Sequence, residues 1–345
     1  MFEGVLTLDR DALKPMRAAG GVVAMLLGIA ILGFFGEAVV VVIGALFVTA
    51  SGLGGDFSHR WRPMLRFTVL GSLVGALAYV SYSNALLAAL VLGGASYLGL
   101  IVAAAGKGAA RAGLFFTLWT LIAVMSGDGD LTGWQVMAGF AGGGLLAIGM
   151  TWLRLRLFPG DTTDDEADLG APMTSTEFWR LVGGAIGTSL GWFSLARAIA
   201  VVGGVVLGYW LVPDFPLWAA ITVIVVVRPS SSSSLSVALE RTLGTALGVV
   251  IAIGVASVLP QSDIATALAF VAAAFLMLMF NHANYTLFAA ALSAALVFGQ
   301  RLVQVDAASA GWDRLEATFL GAILAVAVIA LTERLGVLDT GVDNG

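Results

Sequence analysis

The chain has 345 residues and no cysteine, which excludes disulfides, thiolate metal sites and cysteine nucleophiles. It has two histidines, His59 and His282, far apart in the sequence, so no metal cluster is expected. Charge is equally scarce: Asp, Glu, Lys and Arg make up 11% of the residues, against 59% hydrophobic. A soluble domain carries about 25% charged and about 45–50% apolar residues. A compact soluble fold must present a polar surface and cannot absorb such an excess, whereas lipid can. The net charge is −5 and the basic residues are scattered over short loops, so no nucleic-acid partner is expected. No Walker phosphate loop, Gly-x-Ser-x-Gly elbow or His-Glu-x-x-His helix occurs, and neither an enzyme nor a cofactor is read from the chain. The N-terminal stretch MFEGVLTLDRDALKPMR lacks the regions of a signal peptide and reads as a cytoplasmic amphipathic lead-in.

What is present is a succession of apolar runs. A membrane-spanning helix needs ~20 apolar residues, and runs of about that length lie near 17–35, 37–54, 66–82, 84–105, 108–126 and 132–153. A second set lies near 197–212, 216–228, 238–259, 263–281, 284–300 and 314–332. The reading is an all-α integral membrane protein of roughly twelve transmembrane helices. A cytoplasmic lead-in (1–16) precedes a first six-helix half (17–157). An acidic linker and interfacial helix (158–196) follow, then a second half (197–335) and a cytoplasmic tail (336–345). Within the linker, residues 178–197 are apolar but rich in Gly and Ser and bounded by Arg180 and Arg197; they read as one interfacial helix. With both termini cytoplasmic, all but two of the 17 Lys and Arg residues fall on the cytoplasmic side, as positive charge in short loops does. Arg301 and Arg314 are the exceptions. The outer turns carry acids instead, among them Asp128, Asp214 and Asp306.

An internal repeat is visible. Arg17-Ala18 matches Arg197-Ala198, and Gly71-x-x-x-Gly75 matches Gly244-x-x-x-Gly248. Trp134, Gly143 and Arg156 match Trp312, Gly321 and Arg334. Six is an even number of spans, so the halves are expected to run in parallel, related by an axis along the membrane normal. The paired glycines are helix-packing candidates, because a missing side chain lets a neighbouring backbone approach.

The most specific stretch is 216–248. Trp218 opens an apolar helix that ends at Arg228-Pro229, since proline cannot join the helical ladder. Five serines follow, suited to capping the next helix, which opens with Glu240-Arg241-Thr242 and continues through Gly244 and Gly248. Through Trp218, Arg228-Pro229-Ser230 and Arg241-Thr242-Leu243-Gly244-Thr245-x-x-Gly248, the chain resembles the fusaric acid resistance-like family of the aromatic acid exporter superfamily. The resemblance covers 197–335 well. It is weak over 17–157, where the corresponding turn lacks Arg-Pro-Ser. It implies a bacterial inner-membrane protein for efflux of aromatic or other organic acids, its two halves forming a pseudo-dimer around a path. Related plant proteins are dimeric anion channels, so a homo-oligomer is compatible with the resemblance. Long family members carry a cytosolic domain between the halves where this chain has only the short linker.

Two readings attach to each candidate. Arg228 and Arg241 flank a cytoplasmic turn. With Ser230 and Thr242 they form either an anion-attracting mouth, helped by helix N-terminal N–H groups, or a set of positive-inside anchors. Arg301 and Arg314 either guide an anion outward or form local ion pairs, Arg314 with Asp313. Glu316, about one turn into the last helix, and His282, in a polar cluster between helices, are proton-coupling candidates; the alternatives are an interfacial ion pair and a snug turn. Trp119, Trp192, Trp210, Trp218 and Trp312 read as an aromatic belt or as stacking surfaces for an aromatic ligand. Gly52-x-x-Gly55-Asp56-x-x-x-Arg60-x-Arg62 resembles a major-facilitator loop, but imperfectly and without a second copy. The expected partners are a small organic anion and the lipid bilayer. The expected function is a permease exporting an organic, chiefly aromatic, acid, with an anion channel and a non-transporting membrane scaffold as alternatives.

Overall fold

A computed structural model describes residues 37–51, 57–128, 131–157, 174–212, 215–227, 231–280, 283–302 and 306–337. Among these residues the fold is helical and contains no strand. The helices are α1 (Glu37–Ser51), α2 (Phe57–Ser81), α3 (Ala85–Ile101), α4 (Lys107–Met125), α5 (Gly133–Leu157), α6 (Ser175–Ala185), α7 (Ser189–Leu211), α8 (Trp218–Val226), α9 (Ser231–Val258), α10 (Asp263–Phe280), α11 (Tyr285–Leu302) and α12 (Ala307–Arg334). Seven are long and apolar enough to cross a bilayer: α2, α3 with its 3-10 extension to Ala105, α4, α5, α7, α9 and α12. The expected span at 17–35, the core of the acidic linker, the lead-in expected at 1–16 and all but the first two residues of the tail expected at 336–345 lie outside the described residues.

Three boundaries differ from expectation, each for a local reason. Residues 178–197 fall on two helices, not one interfacial helix. The chain turns at Ile186–Thr188, where the Thr188 hydroxyl donates to the Ala185 carbonyl at 2.8 Å. The next helix starts so close that a Cβ on Gly191 would overlap the Ile186 carbonyl. The span therefore begins at Ser189, well before 197. The serine run is also helical from Ser231 on, forming the first turn of α9, so it is not the loop expected there. Finally, the last helix starts at Ala307, not near 314, because the Asp306 carboxylate accepts from the N–H groups of Ala308 and Ser309, both at 3.0 Å, as an N-cap does.

The helices form two compact units, divided between Val206 and Leu207. The N-terminal unit runs up to Val206 and also takes the residues from Val328 on. Its helices turn small and hydroxyl residues inward. On α2, Thr68, Gly71, Ser72, Gly75 and Ala78 are buried, while Val69, Leu70, Leu73, Leu77 and Val80 are exposed. Large aliphatic side chains outward and small ones inward is the pattern expected where lipid is the solvent and close backbone approach holds helices together. The hydroxyls are satisfied within the helix: Thr68 donates to the Met64 carbonyl and Ser72 to the Thr68 carbonyl. Gly71 and Gly75 face aromatic rings, not a neighbouring backbone: Cβ atoms there would collide with Phe140 and Trp119. These two rings stack at 4.1 Å, and the Trp119 indole N–H donates to the Gly71 carbonyl at 2.6 Å. Trp119 is thus a buried packing residue and no part of an interfacial belt. Trp119→Phe removes that donor from a dry core and is expected to destabilise the protein by about 1 kcal/mol. The thermal midpoint in detergent should fall, whereas Trp210→Phe, at a fully exposed position, should leave it unchanged.

The C-terminal unit spans Leu207–Ala327. Part of its core is built from Val249, Ala252, Ala273, Ala294, Ala295, Val297 and Phe298 on α9, α10 and α11. Gly244 and Gly248 face α11 so closely that Cβ atoms would overlap the carbonyl oxygens of Thr286 and Ala290. Close contact seats the first turn of α11 against the middle of α9. Ser293 then donates to the Thr245 hydroxyl at 3.3 Å, with both side chains fully buried. In the same unit Gly321 lets α12 lie on α8, where a Cβ would overlap the Ala219 carbonyl.

Candidate functional site

Two arginines are fully buried in the C-terminal unit, Arg241 on α9 and Arg314 on α12. Arg241 is ten residues into α9, about 15 Å along its axis, and Arg314 is seven residues into α12, about 10 Å. The register between these helices is fixed by Gly311, where a Cβ would meet Val249 and Ile253. One turn further along α12, Arg314 comes near enough to Arg241 for the two guanidinium groups to repel each other. The antiparallel register puts the pair ten residues into α9, inside the apolar segment Ser236–Val258 that is long enough to cross a bilayer. The serine run is helical from Ser231 on and places Arg241 within α9, beyond the turn expected to flank it. Arg228 and Ser230, expected at the same turn, lie outside the described residues, as does His282.

The Arg314 guanidinium lies 4.8 Å from the centroid of the Trp218 ring, a cation–π geometry. Trp218 is held from two directions. Phe215 stacks on it at 4.3 Å with the planes 16° apart. The turn into α8 doubles back on α7 so tightly that a Cβ on Gly208 would overlap the Pro216 carbonyl. Trp218 therefore serves as a wall of this site, neither a belt residue nor a free stacking surface. Tyr285, the first residue of α11, also acts electrostatically on Arg314.

The nitrogens Nε, Nη1 and Nη2 of both Arg241 and Arg314 are buried without a hydrogen-bond partner among the described residues. Three buried hydroxyls in the same unit, on Thr222, Thr286 and Thr318, are likewise without a partner. Each stands near a member of the site: Thr222 and Thr318 one helical turn beyond Trp218 and Arg314, and Thr286 next to Tyr285. On an α-helix, residues four apart share a face, so donors line one side of α8 and α12. This i, i+4 spacing was legible in the sequence and passed unnoticed there.

The other candidates separate from this cluster. Arg301 donates from Nη1 to the Ala256 carbonyl at 2.8 Å, so it caps the last turn of α9, whose carbonyls lack helical partners. Thr242 donates back to the Ala238 carbonyl at 2.9 Å. Glu316 is exposed on α12, in a stripe with Trp312, Phe319 and Ile323. No cluster of three or more metal-ligating side chains occurs among the described residues.

Fold and site together define a multi-pass α-helical membrane protein with a buried cationic centre. Residues 199–328, a segment that contains Trp218, Arg241 and Arg314, match the family model described as fusaric acid resistance protein-like. No curated protein and no solved structure matches the chain.

Proposed function

We propose that the protein is a bacterial inner-membrane permease that exports organic, chiefly aromatic, carboxylic acids, and that the Arg241/Arg314 pair holds the carboxylate during transit. The observation that carries this reading is the buried, unpartnered pair of guanidinium groups. Each arginine at membrane depth costs roughly 2.5–3.5 kcal/mol on insertion scales, and two neighbouring ones also repel each other. A carboxylate offsets both costs with bidentate charge-assisted hydrogen bonds, and the threonine hydroxyls supply further donors. In this reading the protein is not an enzyme and binds no nucleic acid; its partners are a small organic anion, the lipid bilayer and, in an oligomer, copies of itself.

The full architecture in this reading is two parallel six-helix repeats with both termini cytoplasmic. The positive-inside distribution of Lys and Arg supports the sidedness. A shared packing contact supports the repeat. Gly143 abuts the Val41 carbonyl and Gly321 abuts the Ala219 carbonyl, and each member of the second pair lies 178 residues after its counterpart. The first half has no second anion site under this alignment, since Val136 and Phe140 stand where the second half has Arg314 and Thr318.

A channel is the second reading, favoured by the outward position of Glu316, whose carboxylate is exposed on α12 and not placed between the two buried arginines. An inside-negative potential alone drives anion exit by about 2.3 kcal/mol per charge per 100 mV. Proteoliposomes screened with carboxylic acids at controlled pH and potential separate the readings. A coupled exporter gives saturable flux with proton movement, and a channel gives voltage-dependent current. Absence of both across aromatic and aliphatic acids would leave only a scaffold.

A further inference from the structure

The exposed stripe of α12 borders a groove of about 580 Å³. Val212, Thr242, Ala246, Glu316, Thr318 and Phe319 are among the residues that line it. Its walls are apolar, and two of its lining residues, Thr242 and Thr318, stand close in sequence to the cationic centre. Thr242 follows Arg241 directly, and Thr318 is one turn from Arg314 on the same side of α12. Thr318 is 1% exposed and its hydroxyl has no partner, so a buried donor faces the inner end of the groove. At the outer end, Glu316 places a carboxylate on a face otherwise made of Trp312, Phe319 and Ile323. It stands nine residues into α12, about 13 Å along the helix, within the segment Ala307–Arg334 that is long and apolar enough to cross a bilayer, where an ionisable residue is a functional candidate.

We propose that this groove is a lateral portal, through which a carboxylic acid with an apolar body enters from the bilayer and delivers its head to Arg241 and Arg314. The proposal rests on the reading of that pair as the anion site. The chemistry selects one occupant. A weak acid partitions into hydrocarbon as the neutral molecule, because a bare carboxylate in lipid is too costly. At the rim, the acid's O–H proton passes to the Glu316 carboxylate. The Glu316 carboxyl is then neutral, and the acid, now the anion, is drawn to the two guanidinium groups behind Thr318. A phospholipid head group keeps its negative charge and is repelled by the same Glu316. The apolar tail of the acid stays in the groove against Ala246 and Phe319.

The cysteine-free chain makes the test direct. Ile323→Cys, at the groove lip, carries a bimane fluorophore in liposomes, and doxyl-labelled decanoic acid in the bilayer is the quencher. Saturable quenching by the acid and merely linear quenching by its methyl ester is the expected result. Ala246→Trp and Leu320→Trp, which fill the groove from two sides, should each abolish the saturable component. Glu316→Gln should weaken it severalfold, and equal quenching in that variant would remove Glu316 from the portal. Arg241→Gln with Arg314→Gln should weaken it about tenfold or more. Indistinguishable linear quenching by acid and ester overturns the portal. If benzoate supplied from water still crosses in an arginine-dependent manner, the proposed function survives that failure. Saturable quenching indifferent to both arginines overturns portal and anion site together.

Discussion

Arg241→Gln and Arg314→Gln are each expected to reduce carboxylate flux by about 10- to 100-fold per inserted molecule. A hydrogen bond to a charged group is worth about 1.5–3 kcal/mol, and each substitution removes one bidentate charge from a site with no other cation among the described residues. Lysine should rescue Arg314 poorly, because an ammonium lacks the planar fork and the stacking surface that match a carboxylate and the Trp218 ring. The stability of the same variants distinguishes a ligand site from a scaffold. Without substrate, either glutamine relieves the repulsion between two buried like charges, so the thermal midpoint in detergent should rise or hold. With a transported acid at 100 times its dissociation constant, the parent protein should gain about 2.7 kcal/mol, and the glutamine variants should gain much less. If the arginines were anchors, both substitutions would lower the midpoint and no acid would raise it.

That pair was half-legible in the sequence. Arg314 stood out because it broke the positive-inside pattern, and Arg241 because it lay in the most specific motif of the chain. What the sequence concealed was their meeting. Asp306 caps the last helix and draws Arg314 two turns inside it. The serine run, which reads as a loop by composition, is helical and draws Arg241 inward from the other side. Each shift is a few residues, yet at 1.5 Å per residue it moves a guanidinium from an interface to membrane depth. The membrane nature of the chain and most of its spans were plain, because an apolar run of fixed length has few alternatives to lipid. Facing was not plain. Trp119 and Trp218 are as apolar in sequence as Trp210 and Trp312, and only the packing of Gly75 and Phe140 on one, and of Phe215 and Arg314 on the other, distinguishes core from lipid surface. Arg301 illustrates the same limit, since the carbonyl it caps is 45 residues away.

Gly143→Leu and Gly321→Leu should each cost about 3 kcal/mol, the upper end of the usual range for overpacking, because the collision is with a backbone carbonyl and not with a side chain that can turn aside. In a bilayer there is no hydrophobic gain from pressing two helices together, so lost close packing has little to offset it. The consequences should differ by unit. Gly143→Leu pushes α5 off α1 in the N-terminal unit and is expected to lower the thermal midpoint while the C-terminal unit still binds an acid. Gly321→Leu pushes α12 off α8, the two helices that bring Arg314 over Trp218 at 4.8 Å; the midpoint should fall and acid binding should be lost with it. Gly254 on α9 supplies the control: nothing lies within 4 Å of where its Cβ would be, so Gly254→Leu replaces a poor helix former by a good one and should be neutral or stabilising by up to about 1 kcal/mol. Acid-induced stabilisation, measured for all three variants in detergent, checks the assignment. Retention of that stabilisation in Gly321→Leu would show that the α8–α12 contact does not hold the anion site.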